Sequence, residues 1–214
     1  MLSIRAELKK NDRITVLNLP CNDYGIDIAL VNLGETDMTK TNQFCSHLGG
    51  DIHELQCLTD RFIDIDELNF LAKRLDSFTE KEMRQFQAAM MVTNPVELKD
   101  MINLTYNLHN YTLITDFSDM AQVGRTHRLN VEYVISAEAD DGYDYAALGE
   151  SLATSGKGVT TPYGVLFVNG LSMEDIYDGK NFPDYHYEDC IMTATLRGDI
   201  QPFCLSVKCS CLLV

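Results

Sequence analysis

The sequence has no run of the roughly 18–20 apolar residues that a membrane-spanning helix needs. It also lacks a basic start followed by an apolar core, so no secretion signal is predicted and a cytoplasmic location is expected. Only 13 glycines and 5 prolines occur among the 214 residues, which excludes collagen-like and low-complexity chains. With 45% hydrophobic residues, the chain is instead expected to bury a globular core.

Positive charge is scarce. The 17 lysines and arginines face 32 aspartates and glutamates, which leaves a net charge of −15 and a sequence pI near 4.6. A surface this negative repels phosphate, so direct nucleic-acid binding through a basic patch is not expected.

The usual catalytic signatures are missing as well. The sequence contains no GxSxG, HExxH, GxGxxG or EF-hand pattern. The segment 155–158 resembles a phosphate loop, but Ser151 stands where a Walker A motif needs glycine, and Gly158 stands where it needs serine or threonine. No catalytic residue, cofactor site or metal site is therefore predicted, and the chain is not expected to be an enzyme.

The cysteines do not form a metal-ligand pattern. No two of them have CxxC spacing, and Cys45 and His47 are the only close cysteine–histidine neighbours. Without a secretion signal they are expected to be free thiols in a reducing compartment, mostly buried as small apolar side chains. A catalytic Cys–His pair formed in space stays an open alternative. The seven are Cys21, Cys45, Cys57, Cys190, Cys204, Cys209 and Cys211.

Hydrophobic periodicity predicts an α+β fold in three parts. Residues 1–61 are predicted to be a small mixed α/β domain. It has a hairpin over residues 3–19, a helix that starts at Asn22 or Asp23 and ends at Gly34, and then a loop over residues 35–51 with one strand after it.

Residues 62–130 are predicted to be a helical domain. Three capping boxes indicate helix starts, because a short polar side chain lies three residues before a glutamate in each. A strand over 110–114 and a helix capped by Asp116 follow. The boxes are Asp64 with Glu67, Thr79 with Glu82, and Asn94 with Glu97.

Residues 131–214 are predicted to be an acidic, β-rich domain. A helix is expected near residues 143–153, and strands over 190–196 and 203–213. Asn169-Gly170 is a preferred hairpin turn, so a hairpin is predicted between residues 162–168 and 171–173.

Acidic residues are concentrated in this last part. Between Glu132 and Asp189 twelve acids face only Lys157 and Lys180, which gives −10 over 58 residues. Such crowding destabilises a fold by self-repulsion, which favours a role in binding a basic groove. Carboxylates on a helix face lie about 5–6 Å apart and can approximate the phosphates of duplex DNA. With Asp116 and Asp119, the predicted DNA-mimic surface comprises Glu132, Glu138, Asp140, Asp141, Asp144, Glu150, Glu174, Asp175, Asp178, Asp184, Glu188 and Asp189.

Several strings over roughly residues 60–195 resemble ArdA-type antirestriction proteins of conjugative elements, including the longer members that accompany integrative elements. The central strings are DIDELNFLAKRL at 64–75, FQAA at 86–89, DMINLT at 100–105, ITDFSD at 114–119 and VGR at 123–125. The later ones are TPYGV at 161–165, NG at 169–170 and IYDG at 176–179.

The resemblance implies an elongated, three-domain DNA mimic without catalysis or cofactor. Members of that family bind type I restriction–modification enzymes in the DNA-binding groove, often as dimers, so such an enzyme and a second copy of the chain are the expected partners. The sequence departs from the family after Arg125, where Thr126-His127-Arg128 adds positive charge.

Two other functions are weighed against this one. An acidic interaction module of a mobile element, without antirestriction activity, would show a confined apolar patch and bind with weak salt dependence. A small-molecule enzyme would show a concave pocket that holds a cysteine and a histidine with shifted pKa values.

Overall fold

The computed structural model describes residues 2–132, 135 and 142–187. Residues 1–183 belong to one compact unit. Of the second unit, residues 184–187 are described and form neither helix nor strand. The predicted strands over 190–196 and 203–213 lie outside the described residues. The α+β class is confirmed, since two antiparallel sheets pack with helices.

The first sheet has four antiparallel strands in the order β2-β1-β3-β4. They are β1 (Ile4–Lys10), β2 (Arg13–Leu19), β3 (Asn42–Gly50) and β4 (Arg61–Asp64). Strands β1 and β2 form the predicted hairpin around Asn11, whose φ of 53° suits asparagine in a tight turn.

Strand β3 lies inside residues 35–51, so the prediction of a loop there was wrong. The strand carries several polar residues, and the register shifts where it passes between Glu7 and Leu8 of β1. Because of this bulge, buried Cys45 and Leu48 are three residues apart and the alternation typical of a strand is lost.

Helix α1 (Asp23–Leu33) begins and ends where predicted. The Asn22 side chain accepts a hydrogen bond from the backbone amide of Gly25, and Gly34 ends the helix with a φ of 78°. Its buried side chains lie on one face of the helix and are those of Ile26, Ala29, Leu30 and Leu33.

A 3-10 helix (His53–Leu58) leads to β4, and helices α2 (Ile65–Asp76) and α3 (Glu80–Thr93) follow. Both start at predicted caps, but only α3 has a complete capping box, because the Glu67 carboxylate does not bind the Asp64 amide. At the start of α3, Thr79 accepts from the Glu82 amide, and the Glu82 carboxylate accepts from the Thr79 amide.

The third predicted capping box was wrong. Asn94 ends α3 with a φ of 48°, which asparagine adopts more easily than other side-chain-bearing residues. Helix α4 (Leu98–Tyr106) starts four residues later, after Glu97, which makes no side-chain capping bond. Because Asn94 adopts the left-handed conformation that ends α3, it cannot also be the first cap of α4.

Asp64→Ala is expected to destabilise the fold. The Asp64 carboxylate accepts the amides of Asp66 and Glu67 at 2.9 and 3.2 Å, and the Thr41 hydroxyl at 2.8 Å. Loss of such a cap costs about 1–2 kcal/mol. Urea unfolding would measure this, with Asp64→Asn expected to recover part of the loss. An unchanged midpoint for Asp64→Ala would contradict the assigned capping role.

The second sheet has three antiparallel strands in the order β5-β7-β6. After the 3-10 turn Leu108–Asn110, β5 (Tyr111–Ile114) pairs with β7 (Gly164–Val168), which also pairs with β6 (Val159–Thr161). The predicted hairpin around Asn169-Gly170 was wrong, because residues 171–173 pair with no strand. Asparagine side chains satisfy the backbone there instead, as described below.

Helix α5 (Met120–Glu132) starts after Asp119 rather than at Asp116, and helix α6 (Tyr145–Thr154) confirms the helix predicted near 143–153. One hydrophobic core joins the first sheet, helices α1–α4 and the middle of the second sheet. The predicted domain boundaries stay a prediction. Among the described residues, no helix is both long and apolar enough to cross a bilayer.

Candidate functional site

The predicted DNA-mimic surface comprises fourteen carboxylates. Five of them, Glu138, Asp140, Asp141, Glu188 and Asp189, lie outside the described residues. All the others are exposed to solvent. These are Asp116, Asp119, Glu132, Asp144, Glu150, Glu174, Asp175, Asp178 and Asp184.

Two of the carboxylates lie at the start of α5. Asp116 accepts hydrogen bonds from the backbone amide and hydroxyl of Ser118 at 2.8 and 2.9 Å. These bonds lower the pKa of the Asp116 carboxyl, because they favour its charged form. Asp119 accepts from the Gln122 amide at 3.1 Å. Both carboxylates are therefore fixed in place by local hydrogen bonds.

Three more carboxylates lie on the helix pair α5–α6, which packs closely because of two glycines. A Cβ at Gly124 would lie 2.1 Å from the carbonyl oxygen of Tyr145, and one at Gly149 would lie 2.0 Å from that of Met120. Such separations are far below van der Waals contact, so the two backbones touch where glycine is present on both helices.

The carboxylates on this pair differ in their surroundings. Arg128 donates from Nε to both oxygens of Glu132 at 3.1 Å, and its guanidinium lies 3.9 Å from the centre of the Tyr143 ring. Asp144 caps α6 by accepting from the amide three residues on. Glu150 is exposed on α6. Glu132 is thus partly neutralised, whereas Asp144 and Glu150 form no ion pair within the described residues.

Three further carboxylates lie on residues 171–183, a segment without helix or strand that we call the strap. Two buried asparagines of α4 and its end hold its backbone. Asn107 accepts from the Glu174 amide and donates to the Glu174 carbonyl, both at 2.9 Å. Asn103 does the same for Tyr177, at 2.7 and 3.0 Å.

A third asparagine extends this series. Asn110 donates to the Ser172 carbonyl at 3.2 Å, and just before the strap Asn169 donates to the His109 carbonyl at 2.7 Å. Asn103 and Asn107 are four residues apart, which places them on one side of the last turn of α4, and Asn110 follows in the 3-10 turn. The sequence contains this spacing, but its meaning was missed because a buried asparagine is unusual without a known partner.

Tyr177 anchors the strap in the core. Its ring is buried, and its hydroxyl donates to the Glu67 carboxylate at 2.8 Å. Burial and this hydrogen bond raise the pKa of Tyr177 well above its ordinary value. Phe182 stacks on Tyr177 and on Phe70, with ring centres 5.1 and 4.8 Å apart.

The strap carboxylates of Glu174, Asp175 and Asp178 face solvent. Asp178 accepts the amides of Lys180 and Asn181, both at 2.8 Å, and these bonds lower the pKa of Asp178. None of the ion pairs found in residues 2–132 and 142–187 involves these three acids. Their charge is available to a partner.

Two of the three described cysteines, Cys45 and Cys57, are poorly suited to nucleophilic catalysis. The Cys45 thiol contacts the backbone carbonyl of His47 at 3.4 Å rather than its ring. Burial raises the pKa of Cys45 to about 11 and also raises that of Cys57, which disfavours the reactive thiolate.

A cleft of about 370 Å³ between α3, β5 and α5 contains neither cysteine nor histidine. In the part of the chain that the structure describes, no three histidine, cysteine, aspartate or glutamate side chains gather as metal ligands. The cleft is lined by Glu80, Lys81, Arg84, Leu113, Ile114, Thr115, Asp116, Gln122, Val123 and Thr126.

His127 is half-buried beside the second sheet, with Nδ1 3.0 Å from the Thr112 hydroxyl. Burial lowers the pKa of its imidazole. The unfolded chain therefore takes up a proton first, and stability is expected to fall as the pH drops below about 6.5, by at most ~1.4 kcal/mol per pH unit.

Urea unfolding of the wild type and of His127→Asn between about pH 5 and 7.5 would test this. Asparagine can keep the bond to Thr112 but does not titrate. The pH dependence in this window should therefore be weaker in the variant. Identical pH profiles for the two proteins would contradict the assignment.

No family model matches this chain, and no curated protein is significantly similar to it.

Proposed function

We propose that this chain is a non-enzymatic DNA mimic that binds a type I restriction–modification enzyme in place of DNA. The proposal combines the strings that resemble ArdA-type antirestriction proteins with the chemistry of the acidic residues. Carboxylates held at the surface would occupy the basic groove that normally binds phosphates. The protein would then act in the cytoplasm, without cofactor or metal.

The proposal is carried by carboxylates that are exposed to solvent and that basic side chains do not neutralise. All nine described carboxylates of the predicted surface face solvent, and within the described residues only Glu132 forms an ion pair with lysine or arginine. Ion pairs with lysines or arginines from elsewhere in the fold would have neutralised the carboxylates, which would then no longer resemble phosphates. Local hydrogen bonds to Asp116, Asp119, Asp144 and Asp178 also hold several of the charges in place.

The alternative is an acidic interaction module that binds a protein unrelated to restriction. An exposed apolar stripe on α1, formed by Tyr24, Ile28 and Val31, favours it. Spacings of four and three residues place the stripe on one side of the helix, opposite the face that packs on the sheet. Binding through this stripe would depend little on salt.

A protection assay tests the proposal. Unmodified plasmid is offered to type I restriction enzymes with and without a molar excess of the protein, at several salt concentrations. Protection that weakens steeply as salt increases is expected, because charge contacts to the enzyme are screened. Full cleavage across several enzyme families at large excess would reject the proposal.

A further inference from the structure

The strap exposes large apolar side chains among its carboxylates. Leu171 is 39% exposed, Met173 48% and Ile176 41%, and Glu174 and Asp175 lie between the last two. Phosphate mimicry needs only the carboxylates, whereas exposed apolar side chains add an unfavourable interaction with water. Adjacent apolar side chains rimmed by polar ones mark an interaction surface.

The backbone of the strap is ordered before any partner binds. The amides of Glu174 and Tyr177 donate to buried asparagine oxygens, and the Tyr177 ring lies in the core. An extended segment without such bonds would lose conformational freedom on binding. Here that loss occurs during folding, so the strap is preorganised for recognition.

Charge defines the surface that the strap fits. Glu174, Asp175 and Asp178 form none of the ion pairs found among the described residues, so a partner surface that covers them must supply positive charge. Burying Leu171 and Ile176 in the same contact requires an apolar area between those positive groups. In a purely polar groove, the Leu171 and Ile176 side chains would contact charged groups, which is unfavourable.

We infer that the strap is the part of the chain that recognises its target by apolar contact. Leu171 and Ile176 would enter an apolar area of the basic groove while the neighbouring carboxylates meet its lysines and arginines. The inference rests on the proposed function and adds to it a contribution to binding that salt does not screen. Asn103 and Asn107 are positioning residues, since they hold the strap without facing the partner.

The test compares two double variants, Leu171→Ser/Ile176→Ser on the strap and Ile28→Ser/Val31→Ser on α1. Each replaces two exposed apolar side chains and leaves the net charge unchanged. Met173 is left intact because its sulfur contacts the Tyr111 hydroxyl at 3.8 Å. Binding to an intact type I restriction enzyme is titrated at salt concentrations from about 50 to 300 mM.

The strap variant should bind roughly 10- to 100-fold more weakly at every salt concentration, with the salt dependence of Kd unchanged. The α1 variant should bind like the wild type. Wild-type affinity of the strap variant would overturn the inference while leaving the DNA-mimic proposal intact. Weaker binding of the α1 variant alone would also overturn it, by assigning apolar recognition to α1. No binding of the wild type at low salt would overturn both.

Asn107→Ala supplies a test of positioning, because it leaves every strap side chain in place. Hydrogen exchange should show a slowly exchanging Glu174 amide in the wild type and a faster one in the variant, together with weaker binding to the same enzyme. A Glu174 amide that exchanges equally fast in both proteins would overturn the positioning role. If Asn107→Ala unfolds, two measurements still test the inference. They are the exchange rate of the wild-type Glu174 amide and the affinity of the strap double variant.

Discussion

Gly149→Ala is expected to destabilise the protein by about 2–3 kcal/mol and to lower Tm by roughly 5–10 °C. The new Cβ would lie 2.0 Å from the carbonyl oxygen of Met120. That oxygen belongs to the backbone of α5 and cannot rotate away as a side chain can. Helices α5 and α6 must therefore separate, and the carboxylates that they carry move with them.

Whether Gly149→Ala lowers or raises the stability shows which factor dominates, tertiary packing or helix propensity. Alanine favours an isolated helix over glycine by about 1 kcal/mol, so propensity alone predicts stabilisation. Ser151→Ala, at an exposed position of α6, is the matched control and should change Tm little. Calorimetry of the two variants would measure both effects. A Gly149→Ala protein as stable as the wild type would contradict the close contact between the helices.

Neutralising three carboxylates, Glu150→Gln with Glu174→Gln and Asp175→Asn, is expected to weaken inhibition of a type I restriction enzyme by about 100-fold at low salt. This assumes about 1 kcal/mol for each charge contact. The three acids were chosen because their carboxylates make no hydrogen bond or ion pair among the contacts of the described residues. Their replacement should leave the stability of the fold nearly unchanged.

The salt dependence of inhibition should also become less steep, since fewer ions are released when the variant binds. The control is Asp12→Asn with Asp27→Asn and Asp60→Asn, which removes the same charge from exposed positions outside the predicted surface. Asparagine tolerates the positive φ of 58° at Asp60. Equal inhibition by both triple variants, in the protection assay at matched salt, would show that the position of the charge is irrelevant and contradict the proposed surface.

Much of the local structure could be predicted from the sequence because its causes are local. Helix caps such as Asp64 and Thr79 are satisfied by amides two or three residues away, and Gly34 ends α1 by its own backbone freedom. The charge of the acidic segment and the α+β class also follow from composition and periodicity.

The errors occurred where a distant contact replaced a local preference. Asn169-Gly170 is a favourable hairpin turn, yet the Asn110 side chain binds the Ser172 carbonyl in the segment that the second hairpin strand would have used. Strand β3 was missed because a bulge against β1 breaks its alternation. Asn94 could start or end a helix, and the position of α4 decided between the two.

The sequence by itself determined how much negative charge the chain carries, where along the chain it lies and which segments form helices. These properties depend on residue type and on neighbours a few positions away. Only the tertiary structure decided which carboxylates stay exposed and unpaired, and that residues 171–183 form a strap held by asparagines. Such contacts join residues as many as 74 positions apart, and their partners become known only when the chain is folded.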